Sequence, residues 1–309
     1  MAYWGCVALI RGGLMAQVVR AYGNPSRLEE YLPDRDEPVD RWFTASNSGN
    51  ARVIARTIID LAPAAPSVVI DPFCGAGSSA TAARLLGIRF AGAEIDPVLA
   101  CVSLAKTRCG PSHGADLPRP PDKHDEPQLR CLRLLRELQK EEGGGELSED
   151  QLLADLARAP APVPGSTVVC GDSTDPANWA DLKLPEAEAV MFTSPPFYGD
   201  WHGPDVPPPL RAEASDIVST ATNRGRPDAR NGPRRGYCDL VVGALQAMES
   251  VAVHGTAVVE HEPGDDGTGN RLAVLSERIR DETTADVVEI LTTGDFSGTG
   301  TLSLVVCRF

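Results

Sequence analysis

The chain reads as an α/β protein: a doubly wound, mostly parallel seven-stranded sheet with an inserted helical hairpin. Three observations carry that expectation. Short apolar runs bounded by proline, glycine or an acid recur along the 309 residues, as strands buried on both faces require. Segments of helical period separate most of them. A glycine turn joins the first such strand to a helix and a further strand, which makes a right-handed βαβ unit.

Taken in order, Val53, Ile54, Ile58, Ile59 and Leu61 place a helix over 50–61, stopped by Pro63 and Pro66. Ser67-Val68-Val69-Ile70 is the first central strand. The stretch 78–86 is a helix closed by Gly87, and 89–94 is the next strand. Residues 110–125 lack periodicity and read as a loop. They open the insert, which spans 110–163. Its first helix, 127–142, has Leu129, Leu132, Leu135 and Leu138 at three-residue steps; Gly143-Gly144-Gly145 breaks it. Its second starts at Ser148, where Gln151 completes a capping box, and runs to Arg158. Strands are expected at 167–172, 189–192, 256–260, 287–291 and 301–309, and helices at 237–253 and 271–280. Residues 199–236 read as irregular and polar, a substrate-facing loop. Residues 1–24 read as an N-terminal extension and a candidate disordered segment, with Met15 a second candidate start; residues 25–309 form one domain.

Composition sets outer bounds. Hydrophobic residues at 42% and charged residues at 23% are ordinary for a soluble globular chain. A net charge of −14 argues mildly against a nucleic-acid enzyme, which needs local positive charge to meet phosphates; an acidic surface kept soluble by repulsion is the preferred account of it. The eight cysteines include no C-x-x-C pair and no zinc spacing, so a reducing cytoplasm and no metal are expected. The apolar stretch at 3–10 is too short to span a bilayer, so no membrane partner is expected.

The first chemical signal is Asp71-Pro72-Phe73-Cys74-Gly75-Ala76-Gly77-Ser78. Gly75-x-Gly77-x-x-Ala80 fits a loose nucleotide-binding turn; taken alone, such a turn is as often merely tight. Its setting raises its value, because Glu94 ends the next strand, where a carboxylate can accept from ribose hydroxyls. Asp172 ends the third strand. It can accept from an adenine amino group or simply cap a turn. Asp71 would repel a pyrophosphate but suits the ammonium of a methionine moiety, which favours S-adenosyl-L-methionine over a nicotinamide cofactor.

The second signal is Thr193-Ser194-Pro195-Pro196-Phe197-Tyr198. Two prolines fix the backbone and remove two donors, leaving carbonyls that only accept. With the Ser194 hydroxyl they make a slot for an exocyclic amino group, and Phe197 or Tyr198 can stack on its ring. A proline-stiffened corner without chemistry is the plainer alternative.

Asp71 to Ser78 resembles motif I of the amino-group nucleic-acid methyltransferases, and Ser194 to Phe197 resembles their motif IV, (Asp/Asn/Ser)-Pro-Pro-(Tyr/Phe/Trp). Ala93-Glu94-Ile95-Asp96 looks like their acidic second motif, and Gly171-Asp172 like the third. Arg41-Trp42-Phe43 through Asn50 is similar to the segment that precedes motif I and closes over the methionine end of the cofactor. The resemblance implies a methyltransferase-type sheet and S-adenosylmethionine bound by Asp71, Phe73, Gly75, Gly77, Glu94 and Asp172. It implies direct methyl transfer at Ser194, Pro195, Pro196 and Phe197 to a flipped DNA base. Serine in the first position of the tetrapeptide leans to cytosine-N4 over adenine-N6. An RNA guanosine-N2-type enzyme, an inactive cofactor-binding subunit, and a small-molecule or protein methyltransferase remain as alternatives. A restriction or recognition subunit is a candidate partner.

Two arginine clusters are candidates for nucleic-acid contact. Arg211, Arg224, Arg226, Arg230, Arg234 and Arg235 lie in an otherwise acidic chain, with Tyr198, Arg224, Arg226, Arg234 and Arg235 the expected substrate-binding set. A solvated, disordered loop has the same composition. Arg130, Arg133 and Arg136 on the first inserted helix stand beside Glu137, Glu141 and Glu142, and there a salt-bridged face is the expectation.

Overall fold

A computed structural model describes residues 8–10, 17–21, 38–43, 49–62, 66–114, 116–117, 122, 125–141, 148–180, 188–196, 204–222, 236–250, 255–261, 270–296 and 300–308. Its strands are β1 (Ala8–Ile10), β2 (Gln17–Ala21), β3 (Val68–Asp71), β4 (Arg89–Glu94), β5 (Thr167–Cys170), β6 (Ala189–Thr193), β7 (Gly255–His261), β8 (Asp286–Phe296) and β9 (Gly300–Arg308). Its helices are α1 (Ala51–Leu61), α2 (Ser78–Leu86), α3 (Pro97–Arg108), α4 (Pro111–Gly114), α5 (Pro127–Glu141), α6 (Glu149–Arg158), α7 (Ala177–Ala180), α8 (Pro208–Thr222), α9 (Tyr237–Glu249) and α10 (Asn270–Glu282).

The strands form one sheet in the order β5-β4-β3-β6-β7-β9-β8-β2-β1. From β5 to β7 every pairing is parallel; β9 runs antiparallel between β7 and β8. The seven expected strands are those from β5 to β8 in this order. The chain builds β3, β4 and β5 outward to one side, then returns to lay β6 on the other side of β3. The order therefore reverses between β3 and β6, the point at which open α/β sheets place their ligands, beyond the strand ends.

Alternation along each strand sends side chains into two cores. Val69, Phe90, Val168, Val190 and Val258 pack under α1, α2, α3, α5 and α8. Val68, Ile70, Ala91, Met191, Ala257 and Val305 pack under Trp179, α9 and α10. Helices thus cover both faces, as the doubly wound reading requires.

Several elements depart from expectation. Residues 17–21 form β2, which pairs parallel with β8, and β1 pairs antiparallel with β2, so the N-terminal extension contributes two strands at the sheet edge. Helix α3 lies where no helix is expected. Val98 to Ala105 are buried all round it, so it lacks the one-sided stripe that periodicity detects. Its start was nonetheless written in Asp96 and Pro97. Asp96 accepts from the N–H groups of Val98 (2.8 Å) and Leu99 (3.1 Å), and Pro97 takes the first turn. Helix α8 replaces part of the irregular 199–236 segment. Ala214, Ile217 and Val218 make its buried stripe, which is brief and diluted by polar neighbours. The two inserted helices pack on different neighbours rather than chiefly on each other: α5 lies on α3 and α8, and α6 on α4.

Two glycines close α2. Gly87 caps its C-terminus at φ +68°, donating to the carbonyls of Ala83 and Arg84. Gly77 precedes it at φ +85°, and a Cβ there would lie 2.9 Å from Ser103 Oγ and 3.0 Å from Ser103 Cα on α3. Gly77→Ala combines a left-handed backbone with a clash against a helix axis. It is expected to lower the unfolding free energy by about 2 kcal/mol or more; a urea melt with an unshifted midpoint would contradict this.

Candidate functional site

The carboxyl ends of β5, β4, β3 and β6 lie side by side and carry Asp172, Glu94, Asp71 and Ser194 respectively, at or just past the strand ends. Asp71 sits at the reversal point and is 5% exposed. Its Oδ1 accepts from the Phe73 N–H (3.0 Å) and from Thr193 Oγ1 (2.8 Å), and its Oδ2 from the Ser79 hydroxyl. One carboxylate thus holds the turn after β3, the start of α2 and the end of β6. Burial pushes its pKa up to about 6, against the lowering effect of those three bonds.

The turn beyond it is open. Gly75 has φ +49°, and a Cβ built there would find only the Phe73 carbonyl, at 4.0 Å. The next helix starts with Ser78, whose buried hydroxyl has no hydrogen-bond partner among the described residues. Glu94, 6% exposed, accepts from the N–H groups of Gly75 (2.9 Å) and Asp96 (2.8 Å). Burial raises its pKa to about 8, and the charges of Asp96 and Asp71 add to the effect. Neither Asp71 nor Glu94 has an ion-pair partner among the described residues. Cys74, between them, is buried 3.4 Å from Ser103 Oγ. Burial and the two carboxylates hold its thiol well above the ordinary range, so it packs rather than attacks.

Asp172 closes its own turn, accepting from the Thr174 N–H (2.9 Å) and hydroxyl (2.7 Å), while its carbonyl accepts from Asn178 Nδ2 (2.7 Å). This is the turn-capping geometry weighed from sequence. Past Thr193, Ser194 and Pro196 are half-buried and Pro195 is buried. Phe197, Tyr198, Arg224, Arg226, Arg230, Arg234 and Arg235 lie outside the described residues.

The remaining candidate arginines are engaged with acids. Arg211 on α8 reaches Asp96 Oδ2 (2.5 Å) and the Pro204 carbonyl (2.8 Å). Arg130 pairs with Asp216 at 3.0 Å, and Arg133 with Asp125. These positions bind the fold together rather than present a free basic patch.

Sequence reasoning missed two residues that brace the segment ahead of α1. Lys106 on α3 is fully buried and donates to the carbonyls of Asp40 (2.9 Å) and Phe43 (2.7 Å), 3.5 Å from the Asp40 carboxylate. Its burial lowers its pKa. Asp155 on α6, also fully buried, accepts from Arg41 Nε (2.7 Å) and Nη2 (2.5 Å), Trp42 Nε1 (3.3 Å) and Arg158 Nη2 (2.9 Å). The sequence signal for Lys106 was its rarity, since only four of the 29 basic residues are lysine.

No family model and no curated protein matches the chain. Among solved structures it is similar to the rRNA methyltransferase aviRa from Streptomyces viridochromogenes, at 17% identity and a TM-score of 0.42, over 93% of this chain and 96% of that one. It is also similar to TrmN from Thermus thermophilus, at 14% and 0.41, over 89% of this chain and 52% of that one. A third is the magnesium protoporphyrin IX methyltransferase ChlM from Synechocystis with bound SAH, at 8% and 0.38, over 83% and 80%. Among the described residues no helix is long and apolar enough to cross a membrane, and no group of side chains could hold a metal ion.

Two predictions follow from this geometry. Asp155→Ala removes the acceptor that Arg41, Trp42 and Arg158 share, and is expected to cost about 3 kcal/mol in a denaturant melt. Loss of less than half that amount would refute the brace. The second concerns pH. Asp71 and Glu94 hold protons more tightly folded than unfolded, so their stabilising contribution is complete below about pH 4. It is lost as pH rises through about 6 and then about 8. The thermal midpoint of the ligand-free protein should fall across that window, and Glu94→Gln should flatten its upper part. An unchanged slope in that variant would remove Glu94 from the explanation.

Proposed function

We propose that the chain is an S-adenosylmethionine-dependent methyltransferase acting on an exocyclic amino group of a nucleic-acid base, with DNA cytosine-N4 the leading target. One observation carries the reading. The Thr193 hydroxyl bonds to Asp71, so the acceptor-rich Ser194-Pro195-Pro196 corner stands directly beside the glycine turn at the reversal of strand order.

The residues of the turn fit the cofactor. The open space above Gly75 and the unpartnered Ser78 hydroxyl can receive a polar ligand. Two buried acids with no ion-pair partner among the described residues suit one that bears positive charge and paired hydroxyls. In this reading Phe73, Gly75 and Gly77 line the turn, Glu94 faces the ribose, and Asp71 and Asp172 shape the two ends of the pocket. When bound, S-adenosylmethionine supplies an electrophilic methyl group.

The protein's task is then to present a nitrogen lone pair. The Ser194 hydroxyl and the carbonyls of the proline corner accept the amino hydrogens and so set the direction of that lone pair. Phe197 and Tyr198 stack on the ring, and Arg224, Arg226, Arg234 and Arg235 meet the phosphates. The rate gain comes from positioning. No cysteine nucleophile is needed.

The test is methyl-labelled cofactor with duplex DNA, tRNA, rRNA and a protein extract offered in parallel. Label in the DNA amino groups is expected, and Ser194→Ala should cut its rate by about 100-fold while sparing cofactor binding. Label in RNA or protein alone would overturn the DNA assignment. Cofactor binding without transfer to any acceptor would indicate an inactive subunit.

A further inference from the structure

We propose that Thr193 is a positioning residue for methyl transfer: by tying the end of β6 to Asp71, its hydroxyl sets the spacing between the cofactor turn and the amino-group slot. The inference rests on the methyl-transfer reading and adds to it a residue that stands just ahead of the Ser194–Phe197 tetrapeptide and was given no role from sequence.

Thr193 is fully buried and is the last residue of β6, immediately before Ser194. Its backbone is already fixed, because it stands in register with Val259 of β7 on the side away from β3. Its hydroxyl is therefore not needed to hold the strand in the sheet. It reaches instead to the carboxylate of the neighbouring strand, at 2.8 Å.

That carboxylate is itself committed on every side. Phe73, in the turn, donates to the same oxygen, and Ser79, on the first turn of α2, donates to the other. The register of β3 and β6 ends at Ile70 opposite Met191, so beyond it no ladder bond sets how the two strand ends diverge. The bridge from Thr193 through Asp71 to Phe73 and Ser79 spans the gap that the sheet leaves open. Ser194 follows one bond later, and Ser78 precedes Ser79 by one residue. The two halves of the site are thus each one residue from the bridge.

A structural hydroxyl and a positioning hydroxyl predict different kinetics. If Thr193 only satisfies a buried polar group, its removal lowers stability and touches cofactor binding and turnover together. If it sets the spacing, the turn keeps its ligand and only the transfer step suffers, since displacements of about 1 Å cost about 100-fold in rate.

The experiment compares wild type with Thr193→Val, which is nearly isosteric and lacks the hydroxyl, and Thr193→Ser, which keeps the hydroxyl and loses the methyl. S-adenosylhomocysteine binding by calorimetry serves both as the fold control and as the cofactor readout. Thr193→Val should bind it within about two-fold of wild type, with kcat for the labelled acceptor lowered by about 10- to 100-fold. Thr193→Ser should keep kcat within about three-fold of wild type, with the hydroxyl still in place. Wild-type kcat in Thr193→Val, loss of S-adenosylhomocysteine binding in Thr193→Val, or equal impairment of both variants would each overturn the proposal. Absence of transfer by the wild type itself would instead overturn the methyl-transfer reading, and it is seen before any variant is made.

Discussion

A carboxylate buried at the centre of a parallel sheet is costly unless donors surround it, and the arrangement around Asp71 is organised by that requirement. Three donors come from three places in the chain: the turn at Phe73, the helix at Ser79 and the far strand at Thr193. Satisfying one side chain therefore brings together segments more than a hundred residues apart. Glu94 repeats the solution on the next strand with two backbone N–H groups, and the first of these belongs to Gly75 in the same turn. The glycine turn is thus held by one acid at Phe73 and by the other at Gly75.

The distribution of charge follows from the same economy of partners. In a chain with net charge −14, arginines are drawn to acids before they are free for any ligand. Arg41, Arg130 and Arg211 each tie one segment to a distant one, Arg133 ties α5 to the loop just ahead of it, and in the case of Arg211 the acid is the residue that caps α3. The candidate arginines among the described residues thus serve contacts within the fold.

The parts of the fold that could be read in advance are those where local chemistry and global packing agree. Gly87 closes α2, Ser148 and Gln151 box the start of α6, and the apolar runs of β3, β4 and β6 fall where expected. Helix α3 was hidden because it is buried on every side, and α8 because a short stripe sits among polar residues. Of the candidate site, the strand-end positions of Asp71, Glu94 and Ser194 were legible, since strand ends and turns announce themselves. The roles were less so. Nothing in a linear string says that a threonine on one strand will reach an aspartate on another, or that Asp155 in an insert will hold Arg41 and Trp42. Those depend on strand order and helix docking, which emerge only in three dimensions.

The Asp155 brace also bears on how the chain reaches this state. Residues 40–43 are held by Lys106 from one side and by Asp155 from the other, and both partners lie far downstream. During synthesis the N-terminal segment emerges long before α6 exists to receive it. Contacts of such sequence separation are non-local and form more slowly than local ones. The seating of residues 40–43 on Asp155 thus follows the synthesis and docking of α6. A ribosome-stalled chain ending before Asp155 would carry the glycine turn but leave Arg41 and Trp42 without the carboxylate that seats them.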